Sequence, residues 1–174
     1  FKRWYHIPGR PRVRVETTWI PQKNTLTVSV SQSHKNTDEP FMIPLRFGLL
    51  DKTGRDVKTG TLIVTQKEQT FSFDGLSERP VLSINRGFSA PVDLDVSLTD
   101  DERLFLMTHD SDLFNRYETG NQYALDRLVQ AVRMKADTPD ETVIRALGSY
   151  LEGDKKDLAF LARAIVLPGE EEIF

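Results

Sequence analysis

Residues 12–31 read RVRVETTWIPQKNTLTVSVS, and this stretch decides the fold of the first half of the chain. Apolar or β-branched residues take every second position in two runs: Val13, Val15, Thr17 and Trp19, then Leu26, Val28 and Val30. A period of two sends successive side chains to opposite faces of a β-strand. Each run therefore predicts a strand with one buried face.

The same period continues in shorter runs as far as residue 98. Their apolar members are Phe41, Ile43, Leu45, Phe47 and Leu49; Leu62 and Val64; Phe71 and Phe73; Val81 to Ile84; and Val92, Leu94, Val96 and Leu98. Asp51-Lys52-Thr53-Gly54 is a turn signal between them. No helical segment separates these strands to form a parallel crossover. About seven short strands at this spacing predict an immunoglobulin-like β-sandwich over residues 1–98.

After Leu98 the period becomes that of an α-helix. Thr99 with Glu102 has the form of a capping box, which predicts a helix start. A second helix is expected from about Asp112 to Met134. Its apolar face would hold Leu113, Phe114, Tyr117, Ala124 and Leu128.

Two further helices are expected in the last forty residues. Thr138-Pro139-Asp140-Glu141 predicts the start of a helix that turns Val143, Ile144, Leu147 and Leu151 inward. Gly153 and Asp154 predict a tight turn into a helix that carries Leu158, Leu161 and Ile165 and stops at Pro168-Gly169. Such α-hairpins stack on neighbours in solenoid arrays, so residues 99–174 are expected to be the truncated start of a helical superhelix.

Composition limits the class of protein. The 174 residues are 39% hydrophobic and contain no cysteine, which excludes disulfides and thiolate sites and allows a cytoplasmic location. No apolar run approaches the roughly 18 residues that span a bilayer. Residues 1–98 hold 14 Lys and Arg against 10 Asp and Glu, whereas residues 99–174 hold 9 against 16, which places a domain boundary near residue 99. Phe1 in place of Met, and the apolar Ile173-Phe174 end, suggest cuts in a longer chain.

The search for metal ligands begins with the three histidines, His6, His34 and His109. They are far apart in sequence, and no H-E-x-x-H spacing places two imidazoles on one helical face. His34 lies among polar loop residues and is expected to be solvated. His109-Asp110-Ser111-Asp112 would suit a metal or catalytic cluster, but it is more typical of a linker in which an Asp caps the next helix.

Other motifs for chemistry are also missing. There is no phosphate-binding P-loop, and Ser89 does not lie in a G-x-S-x-G elbow. Residues 86–92 predict a turn with Phe88 packed. Arg10, Arg12 and Arg14 would suit nucleic acid, but alternation turns the last two outward and the chain is acidic overall. We therefore expect no catalytic, cofactor-binding or metal-binding residue, and no nucleic-acid partner.

Several short segments, in order, resemble bacterial aminopeptidase N, the alanyl aminopeptidases of the zinc-dependent gluzincin type. They are Trp4-Tyr5 ahead of Gly9-Arg10-Pro11; Leu26 to Gln32; Ile43-Pro44-Leu45; Gln69 to Phe73; Pro80-Val81 and Ser83-Ile84-Asn85; Phe88 to Val92; and Asp112 to Glu118 followed by Gln122. Tyr117 stands where that family more usually has Trp. The resemblance spans essentially the whole chain.

The resemblance implies a scaffold role. In that family a β-sandwich links a thermolysin-like catalytic domain to a C-terminal helical superhelix, and these would be the partners of this chain. The parent would be a zinc metalloaminopeptidase that hydrolyses N-terminal residues from peptides. Its H-E-x-x-H and Gly-x-Met-Glu-Asn motifs are absent here, so this fragment is expected to be inactive and to hold no zinc.

Two alternatives remain open at this point. An independent immunoglobulin-like binding module with a helical tail would have a self-covered helical layer and an exposed aromatic patch on its loops. A nucleic-acid binder with a basic face would show salt-dependent retention on DNA or RNA.

Overall fold

The computed structural model describes residues 3–135, 140–152, 158–167 and 169. The chain divides into two compact units, residues 1–98 and 99–174. The first contains the strands and the second contains the long helices, so the expected sandwich followed by helices is confirmed.

Two sheets make up the first unit. A four-residue helix α1 (Arg3–His6) precedes the strands β1 (Arg12–Ile20), β2 (Thr25–Ser33), β3 (Ile43–Leu50), β4 (Asp56–Val64), β5 (Glu68–Phe73), β6 (Val81–Ile84) and β7 (Asp93–Val96). The strand orders are β5-β2-β1-β7 and β4-β3-β6. Neighbours pair antiparallel except β1 and β7, which pair in parallel. β7 therefore completes the sheet in which β1 lies.

Alternation along the strands builds the core of the sandwich. Val13 and Val15 are buried on β1, while Arg12 and Arg14 between them are exposed. The core cluster includes Leu26, Val28, Val30, Phe41, Ile43, Leu45, Phe47, Leu49, Leu62, Val64 and Phe73. Because a shift of one residue would reverse the faces, this burial pattern fixes the register of each strand.

Side-chain hydrogen bonds hold two connections of the sandwich. The Gln32 side chain donates to the carbonyl of Phe41 (2.9 Å) and accepts from its amide (2.8 Å), as a neighbouring strand would. Asp51 accepts from the amide and hydroxyl of Thr53 and from the amide of Arg55, which confirms the predicted turn. The bond from the Thr53 hydroxyl is the main reason that the pKa of Asp51 lies below its ordinary value.

Among the described residues of the second unit, the helices are α2 (Asp100–His109), α3 (Leu113–Met134), α4 (Glu141–Glu152) and α5 (Leu158–Ala164). The predicted capping box of α2 is confirmed, since Thr99 accepts from the amide of Glu102 and Glu102 accepts from the amide of Thr99. Asp112 caps α3 by accepting from the amide of Asn115 (2.9 Å). Of the other predicted end signals, Thr138-Pro139, Gly153-Asp154 and Pro168 lie outside the described residues.

The predicted inner faces of the helices are partly wrong. Ile144 is 58% exposed and Leu158 is 69% exposed, and Leu113 and Ile165 are also exposed. The core of this unit instead holds Met107, Tyr123, Ala124, Val143, Ala146, Tyr150, Leu161 and Ala164. The reason is a tyrosine: Tyr150 takes the interior position on α4, which turns Val143 and Ala146 inward and Ile144 outward.

Tyr150 fits because Gly120 on α3 has no side chain. The Tyr150 hydroxyl donates to the carbonyl of Arg116 (2.7 Å), and a Cβ at Gly120 would overlap its oxygen. Burial raises the pKa of the Tyr150 hydroxyl, so it stays protonated and remains a donor.

Gly120→Ala is therefore expected to destabilise the helical unit by about 1–3 kcal/mol through overpacking. Gly148→Ala is the matched control, since a Cβ at Gly148 meets open space within α4. The control should stabilise that unit by about 1 kcal/mol through helix propensity. Thermal unfolding followed by circular dichroism at 222 nm measures both. Equal effects of the two substitutions would contradict the packing described for Tyr150.

Candidate functional site

Each of the three histidines lies in a different local environment. His6 lies in α1, His34 packs against the ring of Phe41 (5.3 Å between centroids), and the ring of His109 stacks on Phe105 (4.8 Å). Within the described ranges, no group of three or more His, Asp or Glu side chains could hold a metal ion. These residues therefore do not fit a zinc site.

Two of the sequence interpretations can be compared with the structure directly. His34 is half-buried rather than solvated, because its ring covers Phe41 and its Nδ1 accepts from the amide of Asn36 (3.1 Å). The polar linker after α2 is confirmed, since Asp110 accepts from the amide of Asp112, which caps α3. Neither arrangement brings a nucleophile and a base together.

The most unusual local structure is the loop of residues 85–91, which joins β6 to β7. Asn85, Gly87 and Phe88 all have positive φ, at 63°, 60° and 51°. Glycine accepts this conformation freely and asparagine tolerates it, but an aromatic residue there is strained. A left-handed conformation costs an ordinary L-residue about 1–2 kcal/mol.

Hydrogen bonds to Asn85 close this loop. Its side-chain oxygen accepts from the amide of Ala90 (2.9 Å) and the hydroxyl of Ser89 (3.0 Å), and its side-chain nitrogen donates to the carbonyl of Ala90 (3.1 Å). The Ser89 hydroxyl oxygen also accepts from the amide of Arg46 on β3 (2.9 Å). The two ends of the loop are thus joined to each other and to the sheet.

Arg86 connects the loop to β4 and β6. Its guanidinium donates to both carboxylate oxygens of Asp56 (3.0 and 2.8 Å), and its Nε donates to the hydroxyl of Ser83 (2.8 Å). The Arg86 side chain is only 8% exposed. It lies over Gly48, where a Cβ would overlap the guanidinium. The pair has the bidentate geometry that makes arginine–carboxylate contacts strong.

Phe88 lies at the exposed end of this anchored loop. The sequence predicted a packed ring, but 48% of Phe88 is exposed. The prediction was wrong because it followed hydrophobicity and ignored the backbone, whose left-handed turn carries the residue outward. The signal that could have found it is the pair Asn85 and Gly87, two residue types that tolerate positive φ. A fixed, exposed aromatic is typical of an anchor for a protein partner.

Each of the two units matches a different known protein family. Residues 9–97, just over half of the chain, match DUF3458, described as a domain of unknown function with an Ig-like fold. The chain belongs to the DUF3458 family. Residues 100–174 match DUF3458_C, a domain of unknown function described as ARM repeats. The anchored loop with Phe88 lies inside the DUF3458 match.

The similar proteins are aminopeptidases. Aminopeptidase N of Caulobacter vibrioides is 36% identical over 180 residues, covering 99% of this chain and 21% of the relative. Aminopeptidase N of Escherichia coli is 28% identical over 190 residues, covering 99% and 22%. The crystal structure of Legionella pneumophila aminopeptidase A in complex with aspartic acid matches with a TM-score of 0.85 and 26% identity, over 99% of this chain and 20% of that one.

These matches confirm the resemblance to aminopeptidase N that the sequence indicated. This DUF3458 chain spans about a fifth of the length of the relatives it matches. Among the described residues, no helix is both long and apolar enough to cross a membrane.

Asp56→Asn is expected to destabilise the DUF3458 sandwich by about 3–5 kcal/mol, because it removes the Asp56 charge that the buried Arg86 guanidinium contacts through two hydrogen bonds. Asp93→Asn is the control, since Asp93 is 61% exposed in its side chain and lies 3.6 Å from Arg10. The control should change stability by less than about 1 kcal/mol. Urea unfolding followed by tryptophan fluorescence reports on this unit, because both tryptophans, Trp4 and Trp19, belong to it. Similar losses in the two variants would contradict the importance of the buried pair.

Proposed function

We propose that this chain is the non-catalytic linker and scaffold region of a zinc-dependent aminopeptidase of the aminopeptidase N type. Residues 1–98 would be the linking sandwich domain, and residues 99–174 the start of the helical domain. The observation that carries the proposal is the similarity along 99% of the chain to proteins named Aminopeptidase N, of which the chain spans about a fifth.

In this proposal, the groups that catalyse hydrolysis in the parent enzyme lie in a different domain. Because the described residues do not fit a zinc site, the metal and the groups that hydrolyse N-terminal residues of peptides would come from the catalytic domain. No residue of this chain is assigned a catalytic, cofactor-binding or metal-binding role. A cytoplasmic location, which a chain without cysteine permits, is part of the same proposal.

The sandwich suits a rigid spacer. Its core residues Val13, Val15, Ile43, Leu45 and Leu49 have no exposed surface. Its β6–β7 loop is held by the Asn85 hydrogen bonds and by the ion pair of the buried Arg86 with Asp56. Phe88 on that loop would pack against a neighbouring domain of the parent, and a contact made by a rigid loop loses little conformational entropy on binding.

The second candidate function is an independent immunoglobulin-like binding module. The exposed Phe88 favours it, since such a module would use loop aromatics. The helices favour the scaffold instead, because an independent module would cover its helical layer by itself. Ile144 on α4 and Leu158 on α5 are more than half exposed, which is expected of a repeat that stacks on a neighbour.

An activity assay tests the proposed parentage. The 174-residue chain with added zinc is expected to release no nitroaniline from alanyl-p-nitroanilide above the buffer rate. A longer protein translated from the same gene, including the region before Phe1, is expected to release it and to lose that activity to a zinc chelator. Hydrolysis by the 174-residue chain, or none by the longer protein, would overturn the proposal.

Phe88→Asn tests the role of the loop, because it should act in opposite directions in the two proteins. In the 174-residue chain, asparagine relieves the left-handed strain, and we expect stability to be unchanged or to rise by up to about 1 kcal/mol. In the longer protein, the same substitution removes the aromatic contact, so the melting temperature and the activity should fall.

Val57→Asn is the control for Phe88→Asn, since Val57 is an exposed apolar residue of the same sandwich. It should leave the activity of the longer protein unchanged. If Phe88→Asn destabilised the 174-residue chain as much as the longer protein, the ring would serve only the fold of the sandwich.

A further inference from the structure

Two arginines and two aromatic rings pack reciprocally where α3 meets α5. The guanidinium carbon of Arg116 on α3 lies 5.2 Å from the ring centroid of Phe160 on α5. The guanidinium carbon of Arg163 on α5 lies 5.6 Å from the ring centroid of Tyr117 on α3. Each helix therefore supplies one cation and one ring, and the two cations belong to the same helix pair.

Some arginines of the unit are neutralised by an ion pair, and others are not. Arg103 pairs with Asp126 (2.6 Å) and Arg127 pairs with Asp140 (2.6 Å). Neither Arg116 nor Arg163 forms an ion pair with a carboxylate in the part of the chain that the structure describes. Arg133 and Arg145 also form no ion pair among the described residues, so the ring contacts are what distinguish Arg116 and Arg163.

The geometry of Arg116 prepares it to bind a ligand. Its Nε donates to the carbonyl of Met107 (3.1 Å), and its guanidinium also lies 5.8 Å from the ring centroid of Tyr150. The Nη1 and Nη2 groups carry four further N–H donors. Stacking on rings holds the planar fork in one orientation, so little side-chain entropy is lost when an anion binds.

We propose that Arg116 and Arg163 form a binding site for a carboxylate, and that the ligand is the C-terminal carboxylate of a peptide. A guanidinium fork matches the two oxygens of a carboxylate. The surrounding negative charge of the unit favours a singly charged carboxylate over a phosphate with nearly two charges. The rings of Tyr117 and Phe160 offer apolar surface to the last side chain of the peptide. That the ligand is a peptide rests on the proposed function, whereas the carboxylate chemistry does not.

The test is a titration of the 174-residue chain followed by two-dimensional NMR, including the arginine Nε–H signals. N-acetyl-Ala-Ala with a free carboxylate should shift the Arg116 and Arg163 signals in a saturable way. The same dipeptide with a C-terminal amide should bind about tenfold more weakly or not at all, because it lacks the charge that the forks bind. Inorganic phosphate and acetate are titrated separately to identify the preferred anion.

Arg163→Gln should weaken binding of the free acid about tenfold, since it removes one charged fork. Arg163 is exposed, so this change leaves the helical core intact. Arg116→Lys keeps the charge without the planar fork and should also weaken binding. Arg133→Gln is the control, because Arg133 is an exposed arginine in the last turn of α3, and it should leave binding unchanged.

Equal binding of the acid and the amide, or unchanged binding by Arg163→Gln, would overturn the site. If phosphate bound more tightly than the dipeptide acid, the ligand would not be a carboxylate. If acetate bound as tightly as the dipeptide acid, the ligand would not be a peptide. These outcomes need no peptidase activity, so they are distinguishable from a failure of the proposed aminopeptidase parentage.

Discussion

The ion pair between the buried Arg86 and the partly exposed Asp56 is the constraint on which the second sheet of the sandwich depends. A charge taken out of water must keep its partner, and removing one member of such a pair costs about 3–5 kcal/mol. The pair connects the end of β6 to the start of β4 and passes over Gly48 of the central strand β3. The register of β3 and β4 shifts between Leu49 and Leu50, beside Asp56. One side chain thus fixes three strands at the same end of the sheet.

The same pair explains how the β6–β7 loop keeps an unfavourable backbone. The left-handed conformation of Phe88 costs about 1–2 kcal/mol, which is less than the cost of breaking the buried pair. The Asn85 hydrogen bonds add further resistance. The loop therefore stays strained rather than relaxing Phe88 inward. A sequence selected only for stability would place Asn or Gly at this position, so an aromatic residue here indicates a use for the exposed ring.

Local rules predicted the elements well and their packing less well. The strands follow from a period of two, and the starts of α2 and α3 follow from capping residues at Thr99 and Asp112, because these signals lie within a few residues of what they determine. The inner face of α4 failed because hydrophobicity favours Ile144 over Tyr150. Tyr150 is the residue that points inward because Gly120, thirty positions earlier in the chain, leaves room for the Tyr150 hydroxyl.

The side-chain contacts of the two candidate sites could not be predicted from the sequence, for the same reason. Asp56 and Arg86 are thirty residues apart, and Arg116 and Phe160 are forty-four apart, so no local spacing relates them. The exposure of Phe88 follows from its left-handed backbone, for which the only local signal is the neighbouring pair Asn85 and Gly87. The resemblance to aminopeptidase N came from ordered short matches over the whole chain, which carry family information but do not specify which side chains meet.

The two units differ in how their arginines are held. In the sandwich, Arg86, Asn85 and Gln32 are buried and each is bound through its polar side chain. In the helical unit, apolar residues of α4 and α5 remain exposed, and two ring-stacked arginines have no carboxylate partner among the described residues. ARM-type repeats bury one face against each neighbour and use the remaining surface for binding. Under the proposed scaffold role, the sandwich would hold its shape, and the helices would present apolar and cationic groups to the elements that pack beside them.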